Sequence, residues 1–476
     1  MFMTEMKEKL ALFADKKITF GTKVHTYAQL AADIDKLVTY FVSARIQGCN
    51  ILLLGNNSYD WVVLHFALIF SRNKVILLDP RSSDAHLREV FFHADADFII
   101  SEEQVTVGLM CVTYAAIAAR VPLIRPALAW RRKDASMIYL STSGTTGASK
   151  IVGLSAEHIL TNLVAAAGEF DLSGPSLIVL PLAHIYGLVA NLYFSIFQGN
   201  DIIIAERLTH MPQLIKTHNI TQLFCVPAMA AMVADLLATK SKAALLGRQF
   251  KLMYISGAHL SSELRLRLQA SDIKALSGYG CTEASPAVSF ERADVREPGT
   301  VGELLPGVDV KFIDVEDGIG EILIRGKSII TSYYYSPLGD EASFLDGWFK
   351  TGDLGFMKGS SLVVSGRRKN VIVLDNGKNV SPESLEAFFK QHVPSIAELI
   401  VFEYNGKLAL EIFLGQADSA CARAETTRLV QAANKTLASF ERINEVLYRS
   451  EPFAKTTTQK IIRTRGSEQE RGGDNR

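Results

Sequence analysis

Between Asn50 and Ile255, short apolar runs of strand length alternate with longer segments of helical periodicity. That rhythm restricts the chain to helices layered on largely parallel sheets, because a parallel neighbour needs a crossover and a helix is the usual crossover. Asn50–Leu54 and Lys74–Leu78 read as strands, followed by helices over Ser58–Ser71 and Ser83–Ala94. The pattern resumes with a strand at Met137–Leu140 and a helix at Ser155–Phe170, for which Ser155 is a natural cap. Leu177–Leu180, Asp201–Ala205, Gln222–Val226 and Lys251–Ile255 read as further strands.

Past about Gly299 the texture changes to short strands and turns, at Val308–Asp314, Gly320–Arg325 and Leu362–Ser365, which predicts a small β-rich subdomain over 299–366. Residues 367–465 read as a compact α+β domain. Its predicted parts are a helix at Ser381–Gln391, a hairpin joining Leu399–Tyr404 to Lys407–Leu414 through Asn405-Gly406, and a helix at Glu425–Ser439. The polar, Gly-rich stretch 466–476 reads as a disordered tail. The expected fold is therefore α/β: a large N-terminal lobe over 1–366 and a small C-terminal domain.

The 476 residues are 48% hydrophobic, which is ample for more than one core. Fifty Lys and Arg balance fifty Asp and Glu, so no whole-chain field attracts a nucleic acid. Cys49, Cys111, Cys225, Cys281 and Cys421 form no CxxC pair, which argues against a zinc site or disulfide framework and for a reducing, cytoplasmic setting. Leu177–Phe197 is apolar enough to raise a membrane span, yet Pro181, His184 and Gly187 interrupt it. It reads as a buried strand and helix, which leaves room for peripheral association only.

The segment Ser141-Thr142-Ser143-Gly144-Thr145-Thr146-Gly147-Ala148-Ser149-Lys150 carries the most chemistry. It is predicted to lie between a strand and a helix. Its glycines let backbone N–H groups approach an anion, its hydroxyls add hydrogen bonds, and Lys150 adds charge. The spacing from the first Gly to the Lys is not that of a Walker loop. A Ser/Gly/Thr linker has the same composition but is rarely framed so tightly. The segment resembles the signature loop of the adenylate-forming superfamily, which includes acyl-CoA synthetases, luciferases and peptide-synthetase adenylation domains. Ser149 and Ile151 stand where that loop usually has Pro and Gly.

Further matches follow in the same order. Pro181-Leu182-Ala183-His184-Ile185-Tyr186-Gly187 looks like the acyl-pocket segment, whose aromatic or His gates the carboxylate; taken alone, His184 would be a structural histidine. Ser256-Gly257-Ala258-His259-Leu260 resembles the adenine-binding turn, where small side chains let backbone lie against a purine. Gly278-Tyr279-Gly280-Cys281-Thr282-Glu283 is similar to the next motif. There Tyr279 offers a ring for stacking on adenine, Thr282 a hydroxyl for the α-phosphate, and Glu283 a hard oxygen ligand for Mg²⁺, with Thr146 beside it. Gly347-Trp348-Phe349-Lys350-Thr351-Gly352-Asp353 implies Asp353 as acceptor of both ribose hydroxyls. Gly366-Arg367-Arg368-Lys369-Asn370 resembles the domain junction, with Arg367 reaching ribose or phosphate, Lys369 at the hinge and Arg368 in an ordinary basic surface turn. Lys455-Thr456-Thr457-Thr458-Gln459-Lys460-Ile461-Ile462-Arg463 resembles the C-terminal catalytic segment. Lys460 falls on the family's lysine, and Gln459 replaces the usual Gly.

The resemblance implies that the domain over 367–465 is mobile. It also implies ATP-dependent activation of a carboxylic acid to acyl-AMP with release of pyrophosphate, then transfer to a thiol. The acceptor would be coenzyme A or the phosphopantetheine of an acyl carrier protein. Ala183-His184-Ile185-Tyr186 has no acid to pair with an ammonium, which disfavours an amino-acid substrate. The ending, with Glu451-Pro452-Phe453 before it, looks most like bacterial fatty acyl-CoA synthetases and suggests a medium- or long-chain fatty acid. Two alternatives remain at this level. One is a ligase for aryl or dicarboxylic acids or for a carrier protein; the other is an inactive nucleotide-binding module.

Overall fold

The computed structural model describes residues 2–105, 108–120, 135–143, 149–170, 174–292, 299–337, 339–374, 379–404, 407–415, 418–455, 461 and 463. The α/β expectation holds. A six-stranded sheet places Asn50–Leu54 between Lys74–Leu78 and Phe98–Ser101, all parallel. The helix Tyr59–Phe70 packs behind it and is buried on nearly every side, as its continuously apolar sequence requires. Ser58 starts that helix by accepting a hydrogen bond from Trp61 N at 3.1 Å. Among the described residues no helix is long and apolar enough to cross a membrane. Within Leu177–Phe197 the chain forms the strand Ser176–Ile178, a wide helical turn at Tyr186–Tyr193 and the helix Phe194–Gln198, largely buried.

A ten-stranded sheet carries much of the site. Gln222–Cys225, Leu252–Ile255 and Lys274–Gly280 run parallel, and the sheet then turns antiparallel through Ala287–Phe290 and Glu303–Leu304 to Ser361–Arg367, Trp348–Lys358, Ile319–Gly326 and Val308–Glu316. The β-rich stretch thus extends the parallel strands by hydrogen bonding. A four-stranded sheet, ordered Lys23–Thr26, Lys17–Phe20, Ile202–Ile204 and Ser176–Ile178, completes the lobe.

The C-terminal region has a core of its own, in which Leu385, Phe389, Val401, Leu410, Ile412 and Val430 pack together. The helices Pro382–His392 and Ala420–Asn434 accompany the strands Glu398–Tyr404, Lys407–Phe413 and Glu445–Arg449. The hairpin register pairs Tyr404 with Lys407, and its turn residues Asn405 and Gly406 lie outside the described residues. So does the segment 466–476.

Two sequence expectations need correction. The helix predicted at Glu425–Ser439 begins earlier, because Ser419 accepts from Ala422 N at 3.1 Å and sets the start. The Ser/Thr/Gly loop does not lead into a helix. Ser149–Ser155 pairs antiparallel with Ser136–Ser143, placing Lys150 opposite Thr142, and the helix Ala156–Glu169 starts only after that second strand. Lys150-Ile151-Val152 is consequently strand, and Ile151, fully buried, bonds through its N–H to Tyr335 O at 2.9 Å. A β-branched side chain in place of the usual Gly there fills a buried strand position.

Candidate active site

Three polar constellations and one cavity converge at the edge of the large lobe. The first centres on Asp353, buried on the strand Trp348–Lys358. Tyr279 Oη donates to Asp353 Oδ2 at 2.7 Å, and Arg367 Nε forms an ion pair with Oδ1 at 2.9 Å from the neighbouring strand, whose register sets the two residues side by side. Asp353 N donates to Thr351 Oγ1 at 3.0 Å, which fixes the local backbone. Burial pushes the Tyr279 hydroxyl far above its ordinary range, and the Asp353 charge adds to the effect, so it stays a donor.

The second joins Glu283, Tyr333, Lys150 and Ser343. Tyr333 Oη donates to Glu283 Oε1 at 2.9 Å, while Lys150 Nζ sits 4.6 Å above the Tyr333 ring and donates to Ser343 Oγ at 2.9 Å. Burial lowers the Lys150 ammonium from its ordinary value, opposed by the Glu283 and Asp340 charges. Glu283 stands in a tight turn, Thr282–Ala284, with Thr282 beside it facing the cavity. One buried carboxylate and a neighbouring hydroxyl suit Mg²⁺, which takes few protein ligands and completes its shell with phosphate and water. The described residues hold no cluster of three or more His, Cys, Asp or Glu that could bind a metal without such help.

The third is His184, whose Nε2 lies 3.6 Å from Asp79 Oδ2. Burial would raise the Asp79 carboxyl, but His184 and Arg81 outweigh it and hold the group well below the usual carboxylate range. Arg81 grips Asp79 through two bonds, at 3.0 and 2.8 Å.

Glycines shape the floor between these groups. Gly257 has φ +88°, where a side chain would be strained, and a Cβ on Gly280 would come within 2.0 Å of Pro286 O. Ser256 Oγ donates to Gly278 O at 2.9 Å, tying the Ser256-Gly257-Ala258 turn to the strand that bears Tyr279. A cavity of about 200 Å³ opens between them, with Gly257, Tyr279, Gly280 and Thr282 at one end and His184, Phe194, Phe224 and Phe290 among its other walls. No Asp, Glu, Lys or Arg is among the described residues that line it. Burial pushes the Cys281 thiol well up, so this lining residue is an inert filler.

The sequence-predicted residues Thr142, Lys150, His184, Gly257, Ala258, Gly278, Tyr279, Gly280, Thr282, Glu283, Asp353 and Arg367 all lie in these elements. Gly144, Thr145, Thr146, Gly147 and Lys460 fall outside the described residues, as does the side chain of Ser143. Arg368 lies exposed in a short helical turn, Arg368–Asn370, as expected of a surface turn, and there pairs with Asp314 at 2.8 Å and with the buried Glu321. Asn370 bonds Glu383 of the C-terminal region. Lys369 therefore lies between one residue anchored to the large lobe and one anchored to the small. Tyr333, Ser343 and Asp79 were not read from sequence. Asp79 follows directly on the carboxyl end of the strand Lys74–Leu78, the place where open α/β sheets gather functional groups, and that position was the available signal.

Residues 5–334 match the family described as AMP-binding enzyme, and residues 369–469 match the AMP-binding enzyme C-terminal domain. The chain is 24% identical over 458 residues to the long-chain-fatty-acid–CoA ligase FadD15 of Mycobacterium bovis, covering 79% of this chain and 74% of that one. It is 24% identical over 420 residues to the 2-succinylbenzoate–CoA ligase of Bacillus velezensis, covering 82% and 81%. Its fold is similar to that of o-succinylbenzoate CoA synthetase from Bacillus subtilis, solved with its acyl-adenylate intermediate, at TM-score 0.82 and 21% identity over 99% of this chain and 98% of that one.

Proposed function

Because the chain belongs to the AMP-binding enzyme family, we propose that it activates an apolar carboxylic acid, a fatty acid or an acid of similar character, as acyl-AMP and passes the acyl group to coenzyme A. The observation that carries this reading is the cavity beside the nucleotide motifs, whose described lining is largely apolar and includes no Asp, Glu, Lys or Arg. An ammonium or a second carboxylate there would be desolvated with no partner, which costs several kcal/mol by about any transfer scale. Relatives named as fatty-acid–CoA ligases support the same direction.

In the first step a carboxylate oxygen attacks the α-phosphorus and the bond to the pyrophosphate oxygen breaks. Both reactants are anions, so the site must offset their repulsion with fixed cations and donors. Asp353 accepts the ribose hydroxyls, Arg367 supplies charge beside them, and Tyr279, pinned by its hydroxyl, presents its ring to adenine. Lys150 and the hydroxyls of the loop from Thr142 hold the departing pyrophosphate. Glu283, with Thr146, would hold Mg²⁺, which shields phosphate charge when bound, and Thr282 offers its hydroxyl to the α-phosphate. His184, oriented by Asp79, stands where the acid's carboxylate enters. Lys460 bridges that carboxylate and the α-phosphate. In the second step the sulfur of the thiol attacks the acyl carbonyl and AMP leaves, after the C-terminal domain turns about Lys369 and withdraws Lys460. A cytoplasmic setting belongs to this reading, supported by five cysteines that are all free.

The test is acid-dependent release of pyrophosphate across a panel of fatty, aryl, dicarboxylic and amino acids, with coenzyme A and a holo-carrier protein as separate acceptors. Turnover with an apolar monocarboxylic acid and coenzyme A is expected. Affinity for ATP with no release for any acid would identify an inactive nucleotide-binding module, and transfer to the carrier protein alone would replace coenzyme A as the acceptor.

A further inference from the structure

The apolar end of the cavity is closed by interlocked rings. Phe170 meets Phe290 edge to face at 4.6 Å and Tyr254 at 5.2 Å. Phe224 stacks on Tyr254 at 4.9 Å and meets Tyr186 and Phe194 edge-on at 6.2 and 6.5 Å. Tyr186 Oη donates to Tyr254 O at 3.1 Å, which locks the group to the strand Leu252–Ile255. Phe224 itself stands on the strand Gln222–Cys225, within the ten-stranded sheet. A ring held by one stacked and two edge-on neighbours and mounted on a sheet cannot swing aside cheaply.

Phe224 also borders a second void, of about 10 Å³, which Pro175, Leu177, Asn200 and Gln222 help to line. One residue thus lines both spaces. The second void holds room for about a single water.

We propose that Phe224 is the residue that sets the length of the acid, and that the substrate is a compact apolar monocarboxylic acid, a medium or shorter chain or a single aromatic ring. This rests on the acid-activating function proposed above. A long straight chain would have to displace Phe224 and unstack Tyr254. A second carboxylate would find no cation along the described walls.

The test compares the wild type with Phe224→Ala, measuring acid-dependent pyrophosphate exchange over straight-chain acids from butanoate to palmitate, with benzoate beside them. The wild type should favour the medium or shorter acids over palmitate by at least ~10-fold in kcat/KM. The variant should shift its optimum to longer acids and change the ratio of palmitate to hexanoate by on the order of 100-fold, as several added methylene contacts predict. Phe224→Leu, which opens less space, should fold where Phe224→Ala fails and give an intermediate shift. Equal use of palmitate and hexanoate by the wild type, or an unshifted chain profile in a folded variant, would overturn the assignment. Absence of exchange with every acid in the wild type would be a different result, overturning the ligase reading and this assignment with it.

Discussion

The large lobe and the C-terminal domain contribute to one reaction in opposite ways. On the large lobe the functional groups are already tied to one another: Asp353 to Tyr279 and Arg367, Glu283 to Tyr333, Lys150 to Ser343. On the C-terminal domain the described flanks of the segment 456–460 are tied to their own scaffold. Lys455 pairs with Glu398 at 2.5 Å, Arg463 pairs with Glu386 at 2.5 Å, and Lys455 and Ile461 form a β-bridge. On the proposed mechanism this is a division of labour: one body would be a preorganised bed for the nucleotide, and the other, with a core of its own, a tool brought up and taken away.

Lys460→Ala should separate the two most sharply. Losing a cation made for the transition state costs roughly 3 kcal/mol, on the order of 100-fold in rate. Acid-dependent exchange should fall by that factor while thioester formation from supplied acyl-AMP survives and ATP affinity barely moves. Unchanged exchange would remove Lys460 from the mechanism. Asp353→Ala attacks the bed instead. It deletes an acceptor of charged hydrogen bonds and frees Tyr279 and Arg367, so kcat/KM for ATP should drop about 10- to 100-fold. A loss confined to the acid's KM would count against its ribose role.

Lys369→Pro tests the joint. Restricting φ between the anchored Arg368 and Asn370 should leave adenylation nearly intact and slow thioester formation by about 10-fold. Equal loss in both steps would place the pivot elsewhere. The smallest effect is on the tool's mounting. Burial pushes the Glu386 carboxyl up to about 7, with Glu383 adding, against Arg463 and the Val401 N–H. A group raised in the folded state is fully stabilising below its unfolded value of about 4.3 and loses that contribution as pH climbs through the folded value. Melting temperature should therefore fall between about pH 4 and 7, and Glu386→Gln should flatten that slope. Parallel curves for the two proteins would contradict it.

Much of the bed was legible in sequence because its chemistry demands unusual local residues. Gly257 sits at a positive φ and Gly280 where a Cβ would meet the Pro286 backbone, and such positions leave small-residue motifs. The hairpin after Ser143 was missed because Lys150-Ile151-Val152 supports a strand whose partner is recognised only by pairing. Tyr333 and Ser343 left no signal, since their partners Glu283 and Lys150 lie 50 and 193 residues away in the chain. The start of the last helix was misplaced because Ala420-Cys421-Ala422 has little apolar periodicity, and only the Ser419 cap defines it.

On the proposed function, two anions, a carboxylate and an α-phosphate, are joined on this bed. Identifying the nucleotide formed from ATP in the presence of an apolar acid, before any thiol is added, tests it most directly. Acyl-AMP and free pyrophosphate are expected, both absent without the acid. ADP and inorganic phosphate, or products that form equally without acid, would contradict it.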